Sequence, residues 1–439
     1  MADPSGSGLE LRLERGRVLV RHPGAEVARG ARVDEVVLAV PPGGVLDVAG
    51  GPAPFRSVLC ELEQLELRVA AGVLEDAVSR ATLAGMAADS PLRAAVRPGF
   101  MELAGALDDG APFTAKLAAV AGPALRAAVY EARIYGPSTL PAPALSARLA
   151  EAIAAALPAL GARAEGTFLS LDVARPALLA FLPRRGWKLP RVPALHAEAE
   201  ISRDGAWATL RRGDAAAEPA PDPDLRVFLH GAPAFAKPER LLAEGDLDGA
   251  RDAWRALPPS TRAHPFAAGR TLGFLASDAP YHAEARALAR GALEREPTFA
   301  PALLVDAVLA RARGDLDRAA ESFSALALAA AARAEAFSAL AAADACAACG
   351  EAADADVLGA ALDAALALDR GHLPALRARR DLADRLGDRG RLLRALRGLA
   401  AHAEDAAERA LAHERLAELL AVTDPAAARL HRDHARRSR

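Results

Sequence analysis

Two cysteines have the spacing of a redox or zinc motif. Cys346 and Cys349 form a Cys-x-x-Cys pattern, but no second pair exists and the third cysteine, Cys60, lies far away in the sequence. Because both lie in an alanine-rich helical pattern, we predict small buried residues rather than a reactive pair. Three cysteines are also too few for a disulfide framework, which indicates a reducing compartment or indifference to redox state.

Two patterns containing histidine could supply metal ligands. Strand alternation places His196, Glu198 and Glu200 on one face, a ligand mixture that suits zinc or a harder cation. We favour the solvated face of a hairpin, because one face of an antiparallel sheet is commonly polar. His431 and His434 lie one helical turn apart in a basic C-terminal helix, where we predict a frayed tail.

A basic loop with a tryptophan is the best candidate for contact with a lipid surface. In LPRRGWKLPR (182–191), four basic residues surround the tryptophan between prolines and a glycine. Cations beside an interfacial tryptophan suit anionic headgroups, and the candidates are Arg184, Arg185, Trp187 and Lys188. The alternative is a tryptophan that packs back onto its own domain, since tryptophan is usually well buried.

Familiar catalytic motifs are absent from the sequence. It contains no glycine-rich phosphate loop, no strand-flanked G-x-G-x-x-G, no G-x-S-x-G nucleophile elbow and no H-E-x-x-H. We therefore predict a protein that is not an enzyme, with no catalytic residue, no metal and no cofactor.

Composition and charge narrow the function further. Only three of the 54 basic residues are lysines, a bias that a GC-rich genome explains without any nucleic-acid partner. The net charge is -3 and neither half is strongly basic, so we predict no nucleic-acid binding. The sequence shows no signal peptide and no apolar run of about 18 residues, so we expect a soluble, cytoplasmic protein.

The hydrophobic period changes once along the chain. Before about residue 213 short apolar runs alternate as in strands, and after about 236 the pattern is helical. The intervening GDAAAEPAPDPDL is too rich in proline, alanine and aspartate to bury a core. We predict a sheet-and-helix domain over 9–212, a linker over 213–235 and a helical domain over 236–435.

The helical half contains a repeat of 34 or 35 residues, with one longer spacing of 39 residues. Its equivalent positions are Ala250, Ala285, Ala319, Leu358, Leu392 and Ala426. An aromatic residue follows four positions later at Trp254 and Phe323, and Pro297 closes one unit. The small residue permits close helix approach, and stacked helix pairs bury one another's apolar faces. This pattern resembles the tetratricopeptide repeat, which implies a solenoid that binds protein partners.

The N-terminal half alternates strand and helix patterns. The predicted strands are 9–20, 31–40, 63–69, 98–107, 113–120, 125–135, 166–173, 194–202 and 206–212, and the predicted helices are 72–85, 138–157 and 175–182. Asp-Gly pairs at 109–110 and 204–205 predict tight hairpins. The order therefore predicts one long antiparallel sheet flanked by a few amphipathic helices.

The order resembles the tubular lipid-binding superfamily over about residues 9–212. The resemblance lies in the run ELAGAL, a DDG turn, PFTAKLAAV and a helix entered through LPAPALSARLAEAI. It implies a curved sheet around a long helix, with an apolar groove for acyl chains. Two features depart from it: many bacterial members are exported, whereas no signal peptide is visible here, and an aromatic content of 4% is low for a lipid groove.

The groove would need apolar residues on one face of the sheet. Candidate lining residues are Leu103, Leu117, Val129, Leu169, Leu171, Leu195 and Ile201. Filling such a groove with an apolar ligand gains about 25 cal/mol per Å² buried. Residues of this kind are also the usual constituents of a filled core, and that is the alternative.

These observations lead to an α+β protein with a curved N-terminal antiparallel sheet, flanking helices and an all-α C-terminal solenoid. We predict a non-enzymatic adaptor that binds a lipid or another apolar ligand and, through its repeats, a protein partner. The basic loop would add a peripheral membrane contact. One alternative is a pure scaffold with an inert N-terminal domain, and another is an unrecognised hydrolase or transferase.

Overall fold

The structure is a computed structural model that describes residues 10–21, 26–28, 30–41, 58–83, 86–87, 91–136, 138, 142–158, 161–181, 188–212, 223–263, 265–276, 279–350 and 353–438. It has an α+β fold, as predicted, with the strands in the N-terminal half and mostly helices after residue 223. The single long sheet of the prediction is wrong, because the strands form two antiparallel sheets.

The first sheet has one apolar and one charged face. Its strands are β1 (Glu10–Glu14), β2 (Arg17–Arg21), β3 (Glu26–Ala28), β4 (Ala31–Ala39), β5 (Glu61–Ala70), β12 (His196–Ser202) and β13 (Gly205–Arg211). They follow the order β1-β2-β4-β5-β13-β12, with β3 also paired to β4. Alternation sends Val18, Val20 and Leu65 into the core. Arg21 and Glu35, cross-strand partners on the other face, form an ion pair of 2.6 Å.

The second sheet carries most of the predicted meander. Its strands are β6 (Arg93–Arg97), β7 (Phe100–Ala106), β8 (Pro112–Val120), β9 (Leu125–Ile134), β10 (Arg163–Glu165) and β11 (Phe168–Leu171), in the order β10-β11-β9-β8-β7-β6. One face places Phe100, Ala118 and Tyr130 in a common apolar cluster. The other face carries the alternate residues, such as Leu117 and Val129.

The first predicted strand is a hairpin. Alternation over 9–20 is interrupted at Arg15 and Gly16, whose φ angles are 47° and 79°. A left-handed glycine is favourable in a tight turn because it carries no Cβ. The turn reverses the chain, so that Leu11 pairs with Val20.

Four helices accompany the sheets: α1 (Ala71–Ser79), α2 (Ala142–Ala156), α3 (Ala174–Phe181) and α4 (Pro223–Ala243). Helix α3 packs Leu178 and Phe181 into the apolar cluster of the first sheet. Helix α2 is buried almost all round between Ala144 and Ala154, and within that stretch only Glu151 is exposed. A helix that is apolar on all sides is a core helix, which is consistent with its alanine-rich sequence.

The predicted linker is wrong from residue 223 onward. Residues 223–235 are helical and belong to α4, where Leu225 and Phe228 are buried against Tyr130 of the second sheet. The proline and aspartate at 223 and 224 begin this helix, as these residue types often do. The remainder of the predicted linker, 213–222, lies outside the described residues.

The helices that follow are α5 (Leu247–Arg255), α6 (Pro259–Ala263), α7 (Pro265–Ala276), α8 (His282–Arg295), α9 (Ala300–Ala312), α10 (Leu316–Ala332), α11 (Ala336–Ala347), α12 (Ala355–Leu368), α13 (Leu373–Leu386), α14 (Arg389–His402), α15 (Ala406–Leu420) and α16 (Pro425–Ser438). From α8 to α16 each helix packs against the next. In addition, α10 contacts α12, and α11 contacts α13. Such nearest-neighbour packing is that of a helical solenoid. None of the described helices is long and apolar enough to cross a membrane.

One turn recurs between the helices. Gly245, Gly314 and Gly387 adopt positive φ angles, and each is followed by an aspartate that caps the next helix. The amide of the aspartate donates back to the carbonyl five residues earlier, as Asp315 does to Ala310 at 3.0 Å. This is a Schellman motif followed directly by an N-cap, and it reverses the chain within a few residues.

The repeat positions are structurally equivalent in five of the six units. The fourth residue after each N-cap residue is buried, and these residues are Ala250, Ala285, Ala319, Leu358, Leu392 and Ala428. The prediction of Ala426 for the last unit is wrong, because Asp424 caps α16 by accepting from the amide of Ala427. Ala426 is exposed and Ala428 takes the buried position.

The chain divides into two compact units that differ from the predicted domains. Unit 1 comprises residues 1–110, 114–132 and 140–267, and unit 2 comprises Ala111–Phe113, Arg133–Thr139 and Ala268–Arg439. Unit 2 therefore includes short segments from within the predicted N-terminal domain. Helix α5 belongs to unit 1, although its sequence matches the repeat.

Candidate ligand-binding site

An open pocket in unit 1 is the candidate site. Its volume is about 390 Å³, which lies in the range of small-molecule pockets. We call it the seam pocket, because its lining comes from both sheets and their connections. The lining residues are Pro123, Ala124, Leu125, Gly161, Arg163, Ser170, Leu171, Asp172, Val173, Ala174, Val192, Pro193, Ala194, Leu195 and Leu210.

The floor of the seam pocket is apolar and belongs to a buried cluster. Leu125 of β9 and Leu210 of β13 belong to one buried cluster, so the two sheets share a core here. Leu195, 7% exposed, is part of the same cluster, and the half-buried Leu171 packs against it. Leu171 is the cross-strand partner of Leu125, which places both on one face of the second sheet.

The rim of the seam pocket is polar. Arg163 of β10 lies opposite Ser170 of β11 in the strand register, and Asp172 follows β11 directly. In the part of the chain that the structure describes, these three side chains have no protein partner. Gly161 has a φ of 59°, and a Cβ there would lie 3.2 Å from the Cβ of Asp172. The turn therefore favours glycine, both for its positive φ angle and for the close approach of Asp172.

The structure divides the seven predicted lining residues between the seam pocket and the buried interior. Only Leu171 and Leu195 lie on the seam pocket. The five others, Leu103, Leu117, Val129, Leu169 and Ile201, are each at most 7% exposed and belong to the buried interior. By alternation, the second-sheet residues Leu103, Leu117, Val129 and Leu169 lie on the same face of that sheet as Leu171. Ile201 lies on the same face of β12 as Ala197, which belongs to the core of the first sheet.

The predicted headgroup loop is mostly outside the described residues. Arg184, Arg185 and Trp187 lie outside them, and Lys188 is described and exposed. The lipid-surface role of this loop stays a prediction.

The strand trio His196, Glu198 and Glu200 does share one face of β12. Its ligand atoms do not gather within 4.8 Å of one another in the described conformation. Glu200 instead accepts a hydrogen bond of 3.2 Å from the indole of Trp207, its cross-strand partner. The arrangement is that of a polar sheet face.

The cysteine pair is buried in helix α11 and its end. Cys346 is inaccessible to solvent and donates to the carbonyl of Ala320, and Cys349 donates to that of Ala345. Burial raises the pKa of Cys346 to about 12 and also raises the pKa of Cys349. A thiol of such high pKa is a poor nucleophile and a poor metal ligand.

A buried lysine of unit 1 was not singled out by the sequence. Lys116 on β8 is 4% exposed, and its Nζ lies 3.1 Å from both Glu131 Oε2 and Asp224 Oδ2. The ammonium group lies 4.7 Å from the ring centroid of Phe100. Asp224 is in the first turn of α4, so this network fastens α4 to the second sheet.

Within unit 2, the segment that contains Arg133 and Tyr135 packs against helices α9 to α11. Tyr135 is fully buried in the same apolar cluster as Leu303 of α9 and Phe323 of α10. Arg133 Nη1 donates to Glu335 Oε2 at 2.8 Å, and both side chains are at most 5% exposed. The helices α9 to α11 thus show how the array accepts a non-helical segment: an aromatic ring among small residues, and a cation on a buried carboxylate.

Comparisons with known proteins give no relative. No family model, no curated protein and no solved structure matches the chain.

Proposed function

We propose that the protein is a non-enzymatic binding adaptor whose seam pocket takes a small amphipathic molecule. The single observation behind this proposal is the combination of a leucine floor with a polar rim whose side chains have no partner among the described residues. An apolar chain on the floor gains hydrophobic free energy, and a polar end group meets the unpaired side chains of the rim. Arg163 and Ser170 would donate to the oxygen atoms of that end group, and Asp172 restricts how much negative charge it carries.

Helical repeats are the proposed protein-binding part, and tetratricopeptide-like packing is part of the proposal. The packing of Arg133 and Tyr135 supports it, because a segment of this same chain packs on α9 to α11 through a buried aromatic ring and an ion pair. On α14, Arg394 and Arg397 are exposed, and neither guanidinium forms a hydrogen bond or a close ion pair with another described residue, although Arg394 acts electrostatically on Asp388. Exposed arginines of this kind favour an acidic partner segment.

The pocket proposal is tested by ligand uptake with the full chain. A fluorescent fatty acid should bind the wild type, and Leu195→Trp should weaken binding at least tenfold because the indole fills the floor. Leu179→Trp is the matched control, since Leu179 is 45% exposed on α3 and does not line the pocket. Equal binding by wild type and Leu195→Trp would place the ligand elsewhere. No binding by the wild type would favour the pure scaffold.

The array proposal is tested with a labelled, glutamate-rich dodecapeptide and fluorescence anisotropy. Replacing Arg394 and Arg397 with alanine should weaken binding and reduce its dependence on salt. Arg290→Ala, at an exposed arginine of α8, is the control. Equal affinities for all three proteins would refute this assignment of the surface.

A further inference from the structure

Three histidines meet on the last two helices of unit 2. His413 of α15 and His431 of α16 bring their Nδ1 atoms within 2.9 Å of each other. The ring of His434 stacks on that of His413 with a centroid distance of 5.1 Å. His413 and His431 are half-buried and His434 is exposed, so an ion from solvent can reach the cluster.

Small residues at the contact between the two helices explain why the imidazoles meet. Ala428 and Ala435 of α16, the helix that packs on α15, are buried, each at most 3% exposed. Alanine at a helix crossing allows the backbones to approach closely, and the longer side chains at the edge of the contact then converge. His431 and His434 are three residues apart on α16 and therefore project from the same side.

We propose that this cluster is a binding site for a divalent transition-metal ion, with His413 and His431 as adjacent ligands through their Nδ1 atoms. Imidazole is a strong ligand for copper, nickel and zinc. Typical metal–nitrogen distances are about 2.0–2.1 Å. Two such bonds to nitrogens 2.9 Å apart enclose an angle of about 90° at the metal.

That angle selects among the metals. About 90° separates neighbouring ligands in the square-planar or tetragonal geometry of Cu²⁺ and Ni²⁺, whereas structural zinc sites are tetrahedral. The cluster therefore favours Cu²⁺ or Ni²⁺ over Zn²⁺. Water completes the coordination on the solvent side, since both rings are half-exposed.

His434, the third histidine, is not a ligand in the described conformation but could become one by rotating its side chain. In the described conformation His434 does not complete a set of three nitrogens within 4.8 Å. Its side chain is exposed, so rotation about its two side-chain bonds is unobstructed by burial. Arg397 and Arg409 lie close enough to act electrostatically on the cluster and oppose a cation. The site should therefore hold its metal with moderate affinity that rises with salt.

The test is titration of the full-length, untagged chain with Cu²⁺, followed by calorimetry and electron paramagnetic resonance. We expect one Cu²⁺ per chain, bound with moderate affinity, with hyperfine coupling to at least two nitrogens. His413→Gln and His431→Gln should each weaken binding at least tenfold, and His434→Gln should weaken it less. His402→Gln, at an exposed histidine of α14, is the matched control and should bind as the wild type does.

Two results would overturn the proposal. One is equal Cu²⁺ affinity in the wild type and the His413→Gln/His431→Gln double variant. The other is a wild-type resonance spectrum without nitrogen coupling, which needs no variant and so is independent of any folding defect. A Zn²⁺ affinity above that for Ni²⁺ would refute the choice of metal geometry.

Discussion

Lys116 Nζ lies 3.1 Å from Asp224 Oδ2, although the two residues are 108 positions apart in the chain. This ion pair, together with Leu225 and Phe228, attaches helix α4 to the second sheet. The sequence between the predicted domains therefore contributes to the core of unit 1 instead of acting only as a connection.

Replacing Lys116 with methionine should lower the free energy of unfolding by about 3 kcal/mol, because Glu131 and Asp224, both partly buried, lose their ion pairs to Lys116. Lys188→Met is the control, since Lys188 is exposed and its replacement should change stability by less than about 0.5 kcal/mol. Urea denaturation measures both. Equal stabilities of the two variants would show that the Lys116 network is not needed by the fold.

Limited proteolysis between residues 213 and 222 should leave the two fragments associated. Helix α4 would remain bound to β8 and β9 through Leu225, Phe228 and Asp224. A nicked sample should therefore elute from gel filtration as one species, and mild urea should separate it. Immediate separation of two folded fragments in buffer would contradict this packing. It would support the sequence-based prediction that residues 213–235 only connect the two domains.

Gly398 should be intolerant of a side chain, whereas Gly291 should accept one. A Cβ on Gly398 would lie 2.5 Å from Leu376 Cδ2, and Leu376 is buried at the contact between α13 and α14. Gly398→Ala should therefore destabilise the protein by about 1–3 kcal/mol. Gly291 in α8 has open space at its Cβ, so Gly291→Ala should stabilise by about 0.5–1 kcal/mol. Thermal denaturation measures whether each substitution raises or lowers the stability of the protein. Stabilisation by both substitutions would refute the close contact at Gly398.

The stability of the array should fall in acid because of Glu408. Arg377 donates two hydrogen bonds of 2.7 Å to this carboxylate, and they lower the pKa of Glu408 below its ordinary value of 4.5. A depressed folded-state pKa means that the contribution is complete above about pH 4.5 and is lost as the pH falls further. Glu408→Gln should therefore lose less stability between pH 6 and about pH 3.5 than the control Glu404→Gln. Parallel acid profiles would contradict this.

Many helices, strands and turns could be predicted from the sequence, because residues close together in the chain determine them. The Gly-Asp turns at 314–315 and 387–388 and the alternation in β4 or β9 specify their elements with neighbouring residues alone. Long-range pairing is different. The strands form two sheets instead of the one predicted, and Leu125 of the second sheet packs in the core of the first. Both features depend on contacts between segments that are distant in the sequence.

The candidate site was only partly predictable for the same reason. Alternation identified Leu171 and Leu195 as apolar but could not separate them from buried residues such as Leu103. Arg163 was missed, because a lone arginine beside a short strand carries no motif. His413 was also missed, since its neighbours His431 and His434 come from the next helix.

Native mass spectrometry of the purified full-length chain, before and after addition of a fatty acid, tests the central claim most directly. The account predicts one ligand per chain in the wild type and in Leu179→Trp, and an unliganded mass in Leu195→Trp. A wild-type chain that stays unliganded with excess fatty acid, while remaining folded, would contradict a seam pocket for amphipathic molecules.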